Sequence, residues 1–323
     1  MFVKDILWSA RYDYLDDAGN AQNVAEWDSV SHSDCLWADE LLLRHLNTVL
    51  NEWCRETGVL RDHTTSSVCK TLILANQRIY PMSSLITEIH NGYLDHGCPR
   101  VLPKDETWLD DNIGSWKRDA SVGAVLYLLP DYDKNYFQTI YYPASSLGYW
   151  SGAINFALLG STITHTIGST ESNFSKLLKV GDQVVVSGSV LNGTTAIPKT
   201  LTVASVSTSS FTVSETLADE TAPAAIIQKV IDTMWLSVSR LPLLPLTIAD
   251  IATQSPEIRS DYHPYLVHGI LREAYMKQDS QCLDVKKSQE HKDVFEYRKN
   301  QARNERDNLR RSVKNFRPHP GAL

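Results

Sequence analysis

The side chains best suited to chemistry in the first third of the chain are two histidines close to a cysteine. His90 and His96 lie close in sequence to Cys98. A cysteine paired with a histidine can act as a nucleophile, and the same residue types bind zinc. The spacing of these three residues matches no zinc pattern, and a catalytic pair requires a geometry that spacing alone does not supply. The sequence therefore predicts no metal site and no nucleophile here.

Two further groups of titratable residues have simpler interpretations. Asp110 and Asp111 could act as an acid pair, but adjacent carboxylates in a loop are usually solvated and neighbours in sequence usually point apart. His263 and His268 are five residues apart and do not share a helical face well. The phosphate loop, the dinucleotide fingerprint, H-E-x-x-H and G-x-S-x-G are all absent. We expect no catalytic, cofactor-binding or metal-binding residue, and a protein that is not an enzyme.

Charge is distributed unevenly along the 323 residues, whose formal net charge is -7. From residue 298 to 323 there are eight basic residues against Glu305 and Asp307, a net +6, which leaves -13 for the other 297 residues. An acidic body with a basic end predicts that this end meets an acidic surface of protein or nucleic acid. The basic residues are Arg298, Lys299, Arg303, Arg306, Arg310, Arg311, Lys314 and Arg317.

Length and composition predict a soluble protein of about two domains. No apolar run approaches the roughly 20 residues that span a bilayer. The first residues, MFVKDILWSARYDYLDD, become acidic too early for a secretory signal. The five cysteines form no C-x-x-C pair, which favours free thiols and synthesis in a reducing compartment. We expect no contact with a membrane.

The first element that the sequence predicts clearly is a helix ending before Gly58. Ser31, Ser33 and Asp34 offer N-cap oxygens for its first amides. An apolar stripe at spacings of three and four indicates its buried face. That stripe consists of Leu42, Leu46, Val49, Leu50 and Trp53.

A β-rich region follows from Ser66 to Pro143, and then the composition changes. Residues 151–227 contain 24 Ser or Thr and no Trp, Tyr, Cys or Met. The segments VGDQVVVSGS and TLTVASVSTSSFTVSETL are typical of short strands joined by polar turns. We interpret 151–227 as an inserted all-β domain between a first body part, 1–150, and a second, 228–323. Four side chains are expected in its core: Leu201, Val203, Phe211 and Val213.

The last part of the chain predicts a long helix. The β run AIIQKVIDTMWLSVSRLPLLPL ends at Pro242 and Pro245, and no Gly or Pro occurs over the 48 residues from Ile270 to Arg317. Beyond Tyr297 the apolar residues thin out, so we expect this end to bury no stripe in its own core. It would then be solvated, disordered or docked on a partner. The apolar residues that remain are Ala302, Leu309, Val313 and Phe316.

The order of these segments resembles the head-to-tail adaptor (connector or head-completion) proteins of tailed bacteriophages. Three stretches, within residues 30–150 and 228–315, carry the resemblance by their order and spacing. They are SHSDCLWADELLLRHLNTVLNEWCRETGVL with the following VCKTLILANQRIYPM, the late run ending in SRLPLLPL, and PEIRSDYHPYLVHGILREAYMKQDSQCLDVKKSQEHKDVFEYRKNQARNERDNLRR. The segment 151–227 departs from the simpler family pattern.

The resemblance implies a helical connector body with a β region, in a protein made in the host cytoplasm. Together with the inserted all-β domain that the composition indicates, we expect an α+β fold. It implies a virion structural protein at the head-tail junction, forming a ring of twelve copies between the portal and the tail proteins (nozzle, hub or fibre). DNA would pass through the central channel without sequence-specific binding.

Two alternatives stay open from the residues themselves. One is a tail or baseplate component whose β insert binds a fibre or receptor. The other is a DNA-binding protein that uses the basic C-terminal end, whose affinity would fall steeply with salt.

For the leading interpretation, the portal-binding element is predicted to begin at about Asp284. Its arginines can pair bidentately with acidic portal residues, and its last apolar residues can form a short anchoring stripe. The predicted docking residues are Arg298, Lys299, Arg303, Arg306, Leu309, Arg310, Arg311, Val313, Lys314, Phe316 and Arg317.

Overall fold

The structure is a computed structural model that describes most of the chain. The described residues are 1–17, 36–95, 100–114, 116–117, 122–123, 125–133, 135–140, 142–143, 148–158, 160–165, 174–278 and 283–314. The predicted N-cap residues Ser31, Ser33 and Asp34 lie outside them, as do His96 and Cys98.

The helices of the described residues are short except for the second and the last. A π-helical segment, Ala10–Leu15, continues the first helix, and a 3-10 turn, Ser260–Tyr262, precedes the sixth. The helices are α1 (Val3–Ser9), α2 (Asp39–Thr57), α3 (Ser66–Cys69), α4 (Glu106–Asn112), α5 (Phe174–Leu177), α6 (His263–Ala274) and α7 (Val285–Lys314).

The strands lie mainly between α2 and α6. They are β1 (Arg61–Asp62), β2 (Lys70–Leu74), β3 (Ile79–Pro81), β4 (Ile86–Leu94), β5 (Leu102–Pro103), β6 (Val122–Gly123), β7 (Tyr127–Asp133), β8 (Tyr136–Thr139), β9 (Tyr142–Pro143), β10 (Tyr149–Ala157), β11 (Thr162–His165), β12 (Gln183–Ser187), β13 (Lys199–Val206), β14 (Ser210–Val213) and β15 (Glu220–Arg240).

The predicted fold, a helical connector body carrying a separate β insert, is wrong. In the described part of the chain the dominant element is a large antiparallel sheet of nine strands, with smaller sheets of four and two strands. Strand β15 has 21 residues and pairs with β10 and β12 as well as with β1, β2 and β4. Buried residues recur along its whole length, from Ala222 to Val238, so one strand passes through residue 227 without interruption.

The described chain forms two compact units. Unit 1 comprises Met1–Asp62, Leu85–Glu88 and Val238–Leu323, and unit 2 comprises His63–Ser84 and Ile89–Ser237. The predicted division into 1–150, 151–227 and 228–323 places its two boundaries inside β10 and β15. As an arrangement of folding domains, that division stays a prediction.

Unit 1 has a core built from α1, α2, α6 and α7. The predicted α2 stripe is confirmed, because Leu42, Leu46, Val49, Leu50 and Trp53 are all buried in one cluster. The helix ends as predicted at Gly58, whose φ of 57° places it in the left-handed region that glycine adopts easily.

Unit 2 contains a closed sheet of six strands. Strand β15 pairs with β10 on one side and with β12 on the other, and the strands between them run in the order β10, β11, β14, β13 and β12. A single apolar cluster fills this closed sheet, and the four predicted core residues, Leu201, Val203, Phe211 and Val213, belong to it. Closure pairs both edges of each strand, which leaves no free strand edge along the shared register.

The predicted 48-residue helical run is interrupted. Helix α6 ends at Ala274, and α7 begins after Asp284, whose carboxylate accepts a hydrogen bond from the backbone N–H of Lys287 at 3.0 Å. Asp284 is therefore the N-cap of α7, at the residue where the predicted portal-binding element begins. Portal binding by that element stays a prediction.

Candidate docking helix and its anchor

The first contact that holds α7 against the other helices of unit 1 is aromatic. Phe295 is fully buried, and its ring centroid lies 5.4 Å from that of Trp53 on α2. The guanidinium of Arg272 on α6 lies 5.3 Å from the same phenyl ring. Phe295 therefore connects α7 to both α2 and α6.

Close packing between α6 and its neighbours depends on Gly269. A Cβ atom at this position would lie 2.3 Å from Cγ1 of Val49 on α2 and 3.0 Å from Cε2 of Phe295. Because carbon atoms do not approach so closely, only glycine permits this spacing of the helices.

A buried ammonium group provides the second attachment of α7. Lys299 is 3% exposed, and its Nζ lies 2.8 Å from a carboxylate oxygen of each of Glu52, Glu56 and Glu296. Glu52 and Glu56 are one turn apart on α2, so they meet the same side of α7. The lysine thus pairs its charge within unit 1.

Arg272 completes this group of charges, which we call the anchor cluster (Glu52, Glu56, Arg272, Glu296 and Lys299). Its guanidinium donates to both carboxylate oxygens of Glu52, at 3.1 and 2.7 Å. This bidentate geometry is the strongest form of arginine–carboxylate pairing.

The contacts in the anchor cluster shift the pKa values of Glu52 and Lys299 so that the charged form of each is favoured. Burial alone would raise the pKa of the Glu52 carboxyl, but hydrogen bonds from Arg272 and Lys299 outweigh it and lower that pKa to about 2. Burial alone would lower the pKa of Lys299, and its hydrogen bonds to Glu296, Glu52 and Glu56 raise it instead. Glu52 and Lys299 are therefore both charged at neutral pH.

Two further contacts extend the attachment along α7. The Tyr262 hydroxyl donates to the Glu305 carboxylate at 3.0 Å. The Arg306 guanidinium lies against Gly58, the C-cap of α2, where a Cβ atom would be 2.4 Å from Nη1. A cation at this place interacts favourably with the negative end of the α2 dipole.

The prediction that the helix buries no stripe beyond Tyr297 is wrong for the first turn after that residue, where Lys299 and Ala302 are buried. Four residues spaced by seven, four and three are buried on one face of α7: Ser288, Phe295, Lys299 and Ala302. Ser288 satisfies its hydroxyl by donating to the backbone oxygen of Arg272 at 2.9 Å. Since two of the four residues are polar, the hydrophobic pattern does not reveal the stripe.

The predicted docking residues fall into four groups. Lys299 and Arg306 are held by contacts within unit 1, as described above. Arg298 stacks over Tyr265, with its Cζ atom 4.7 Å from the ring centroid, and Arg303 is exposed. The α7 backbone extends through Leu309, Arg310, Arg311, Val313 and Lys314, while Phe316 and Arg317 lie outside the described residues. Docking by this set stays a prediction.

The residues weighed for catalysis take structural positions where they are described. His263 is buried, with Nδ1 3.1 Å from the backbone oxygen of Met1 and Nε2 3.0 Å from that of Ile258. Asp110 accepts hydrogen bonds from the Trp116 indole N–H at 2.9 Å and from Lys117 at 3.3 Å.

One histidine pair connects α6 and α7. The Nδ1 atoms of His268 and His291 are 2.9 Å apart, and the ring of Tyr275 stacks on that of His291. Burial lowers the pKa of both histidines below its usual value. Since one ring nitrogen must donate and the other accept, the pair fits neutral imidazoles.

Sequence reasoning missed the anchor cluster altogether. One signal was present, because Glu52 and Glu56 flank the apolar stripe of α2 at a spacing of four. Arg272 and Lys299 lie in other helices, and sequence spacing does not indicate that they meet these carboxylates.

Other kinds of site were sought in the part of the chain that the structure covers. Within it, no group of three or more His, Cys, Asp or Glu side chains could hold a metal ion. A shallow pocket of about 440 Å³ in unit 2 is lined by residues that include Lys104, Glu106 and Tyr132. No described helix is both long enough and apolar enough to span a membrane.

Comparison with protein-family models gives no match, and none of the curated proteins compared matches the chain.

Proposed function

We propose that this chain is a structural protein of a tailed-bacteriophage particle, a head-to-tail adaptor that forms a ring between the portal and the tail. The order of the three stretches that resemble adaptor proteins supports this proposal. The described candidate residues also support it, because His263 and Asp110, for example, use their polar atoms in hydrogen bonds within the chain.

The observation that carries the proposal is the geometry of α7. Its 30 residues give a helix about 45 Å long at 1.5 Å per residue. Its first part is attached by Phe295 and the anchor cluster, and Glu305 and Arg306 add contacts farther along the helix. The helix continues to Lys314, so a firmly held base presents a basic end.

Such an arrangement suits docking on a larger partner. Because the base of α7 is already ordered, little conformational entropy is lost there when the basic end binds. An acidic surface of the portal is the partner that this charge favours, and arginines at positions 310, 311 and 317 can pair with its carboxylates. The ring of twelve copies and the DNA channel are parts of the same proposal.

A truncation after Asn308 tests this role without removing any contact described above. It deletes the basic residues Arg310, Arg311, Lys314 and Arg317 and leaves Glu305 and Arg306 in place. In a phage that lacks the wild-type chain, we expect the truncated protein to melt at the wild-type temperature but to be absent from DNA-filled heads. Electron microscopy would then show heads without tails.

A matched control changes the net charge by the same amount elsewhere on α7. Lys286→Glu combined with Lys292→Glu alters two exposed residues of the attached half. This variant should assemble normal particles. Tailed particles that contain the truncated chain would contradict the portal role of the basic end. DNA binding by the wild-type chain that is lost on truncation, with normal particles, would favour the DNA-binding alternative instead.

A further inference from the structure

One end of the closed sheet displays aliphatic side chains to solvent. Leu158 lies in the turn between β10 and β11, and Val190, Leu191 and Ile197 lie in the loop between β12 and β13. They are 51%, 79%, 60% and 77% exposed, respectively. We call these four residues the apolar end.

The backbone beneath the apolar end is held by two adjacent carboxylates. Glu220 accepts hydrogen bonds from the Ser189 hydroxyl at 2.5 Å, from the N–H of Val190 at 2.7 Å and from the N–H of Leu191 at 3.0 Å. The adjacent Asp219 accepts from the N–H of Leu158 at 2.6 Å. Residues 219–220 therefore hold both loops.

A buried asparagine and a glycine fix the longer loop further. Asn192 is 1% exposed, donates to the backbone oxygen of Ala218 at 2.9 Å and accepts from its N–H at 2.8 Å. Gly193 has a φ of 140°, and a Cβ atom there would lie 2.4 Å from the backbone oxygen of Val186. The loop is thus built to hold one shape while Val190 and Leu191 point outward.

The chemistry of the apolar end restricts what can cover it. Residues 187–198 and 157–164 contain no charged residue. Phosphate groups of nucleic acid or anionic lipid need cations, which these two loops lack. The loops also lack the Trp and Tyr that anchor proteins at a lipid interface. An uncharged apolar surface on another protein fits best.

The size of the apolar end restricts the partner further. Four aliphatic side chains present far less than the roughly 800 Å² that each partner contributes to a stable interface. A contact this small does not hold two free proteins together, but many copies in a ring strengthen it through their high local concentration. The closed sheet offers no strand edge in this register, so an added strand is not the mode of binding.

We propose that the apolar end is the surface that receives a tail protein, through an uncharged apolar pocket on that protein, once the ring has formed on the head. This inference rests on the proposed adaptor function. It assigns head binding and tail binding to different units, with the end of α7 in unit 1 and the apolar end in unit 2.

The test is a triple substitution, Val190→Ser, Leu191→Ser and Ile197→Ser, supplied to a phage that lacks the wild-type chain. The hydrogen bonds to Glu220 come from backbone N–H groups and Ser189, so the variant keeps them. We expect particles with a wild-type amount of the chain, but tailed particles reduced by about tenfold or more. The matched control is Val180→Ser, because Val180 is 70% exposed and precedes β12 at its opposite end. It should assemble tails normally.

Each other outcome overturns the inference. Tails at the wild-type frequency would show that the apolar end is not the tail surface. Loss of the chain from heads by the folded triple variant would assign the surface to a second copy of the chain in the ring. Binding of the wild-type chain to phosphatidylcholine vesicles that is lost in the triple variant would assign it to a membrane. A wild-type chain that occurs in no particle would refute the adaptor function itself, and the inference with it.

Discussion

The helix contacts of unit 1 and the closed sheet of unit 2 both bury aromatic rings, but they differ in whether charged side chains are buried with them. The seam of α2, α6 and α7 encloses Lys299 among three carboxylates, and Arg11 elsewhere in unit 1 is fully buried against Asp17 and Asp39. Among the described residues of 149–229, which form the closed sheet, no charged side chain is buried, and the buried polar side chains are Ser189 and Asn192. The carboxylates of the closed sheet, such as Glu220, bind backbone N–H groups at the end of the sheet instead.

This difference separates two ways of fixing a structure. Apolar packing stabilises the closed sheet and tolerates small changes in position, whereas a buried ion group needs every partner in place. We expect this ionic seam to specify the register of α7 against α2 and α6 more strictly than apolar contact would. That register decides where the basic end of α7 lies.

The largest effects are expected from removing one buried ring in each region. Phe295→Ala in the helix seam and Phe211→Ala in the closed sheet each delete a side chain that is at most 1% exposed. Each should lower the free energy of unfolding by about 3–5 kcal/mol. Hydrogen exchange measured peptide by peptide should show faster exchange in α2 and α6 for the first variant, and in β12 to β14 for the second.

This pair of variants also tests the predicted β domain. The core around Phe211 is formed by residues within 150–227. If Phe211→Ala accelerates exchange equally in α2 and α6, the two regions unfold together and 151–227 is not a domain of its own.

The next effect separates the ionic seam from an ordinary ion pair. Lys299→Ala removes the centre of the anchor cluster, and we expect a loss of about 3 kcal/mol. This is the low end for a broken buried pair, because the freed carboxylates keep some contact with water. Lys229→Ala in unit 2 breaks a 2.6 Å pair with Asp182 that is about a fifth exposed, and should cost about 1 kcal/mol or less. Denaturant unfolding measures both.

The control for this comparison is Lys292→Ala, an exposed lysine two turns before Lys299 on the same helix. It should change the free energy of unfolding by no more than about 0.5 kcal/mol. If Lys299→Ala behaves like this control, then Phe295 and Ala302 hold α7 without help from the charges.

The same difference explains which parts of the structure could be predicted from sequence. The α2 stripe from Leu42 to Trp53 and the core residues Leu201 and Phe211 follow simple apolar periodicities, and both predictions are confirmed. The stripe of α7 was not predicted, because Ser288 and Lys299 occupy buried positions where apolar residues are expected.

The predicted fold class was wrong for a related reason. A change in composition at residue 227 was interpreted as the end of an insert, but one strand continues from Glu220 to Arg240, with a shift of its register against β2 between Val230 and Asp232. Pairing partners, which composition does not show, decide where a strand belongs. The anchor cluster likewise unites Glu52 and Lys299 across 247 residues of sequence.

The smallest effect is a difference in pH dependence between the two regions. Burial lowers the pKa of His45, His268 and His291, all in unit 1, below the usual value of 6.5. Arg298 also lowers the pKa of His268, while Lys287 lowers and Glu290 raises that of His291. A histidine with a lowered pKa in the folded state stabilises that state fully above pH 6.5 and loses this contribution as the pH falls through its folded value.

In the closed sheet, the groups with lowered pKa values are Glu215 and Glu220. Burial alone would raise both pKa values, but hydrogen bonds from Thr202 to Glu215 and from Ser189 to Glu220 outweigh it. Their contribution is present above the usual value of 4.5 and is lost only below it. Between pH 6.5 and 4.5 the helices of unit 1 should therefore lose protection against hydrogen exchange while β12 to β14 keep theirs, after correction for the intrinsic rate. Replacing His268 and His291 together by Gln should reduce the loss in α6 and α7. Equal loss of protection in both regions would show that these histidines do not make unit 1 the more acid-sensitive part.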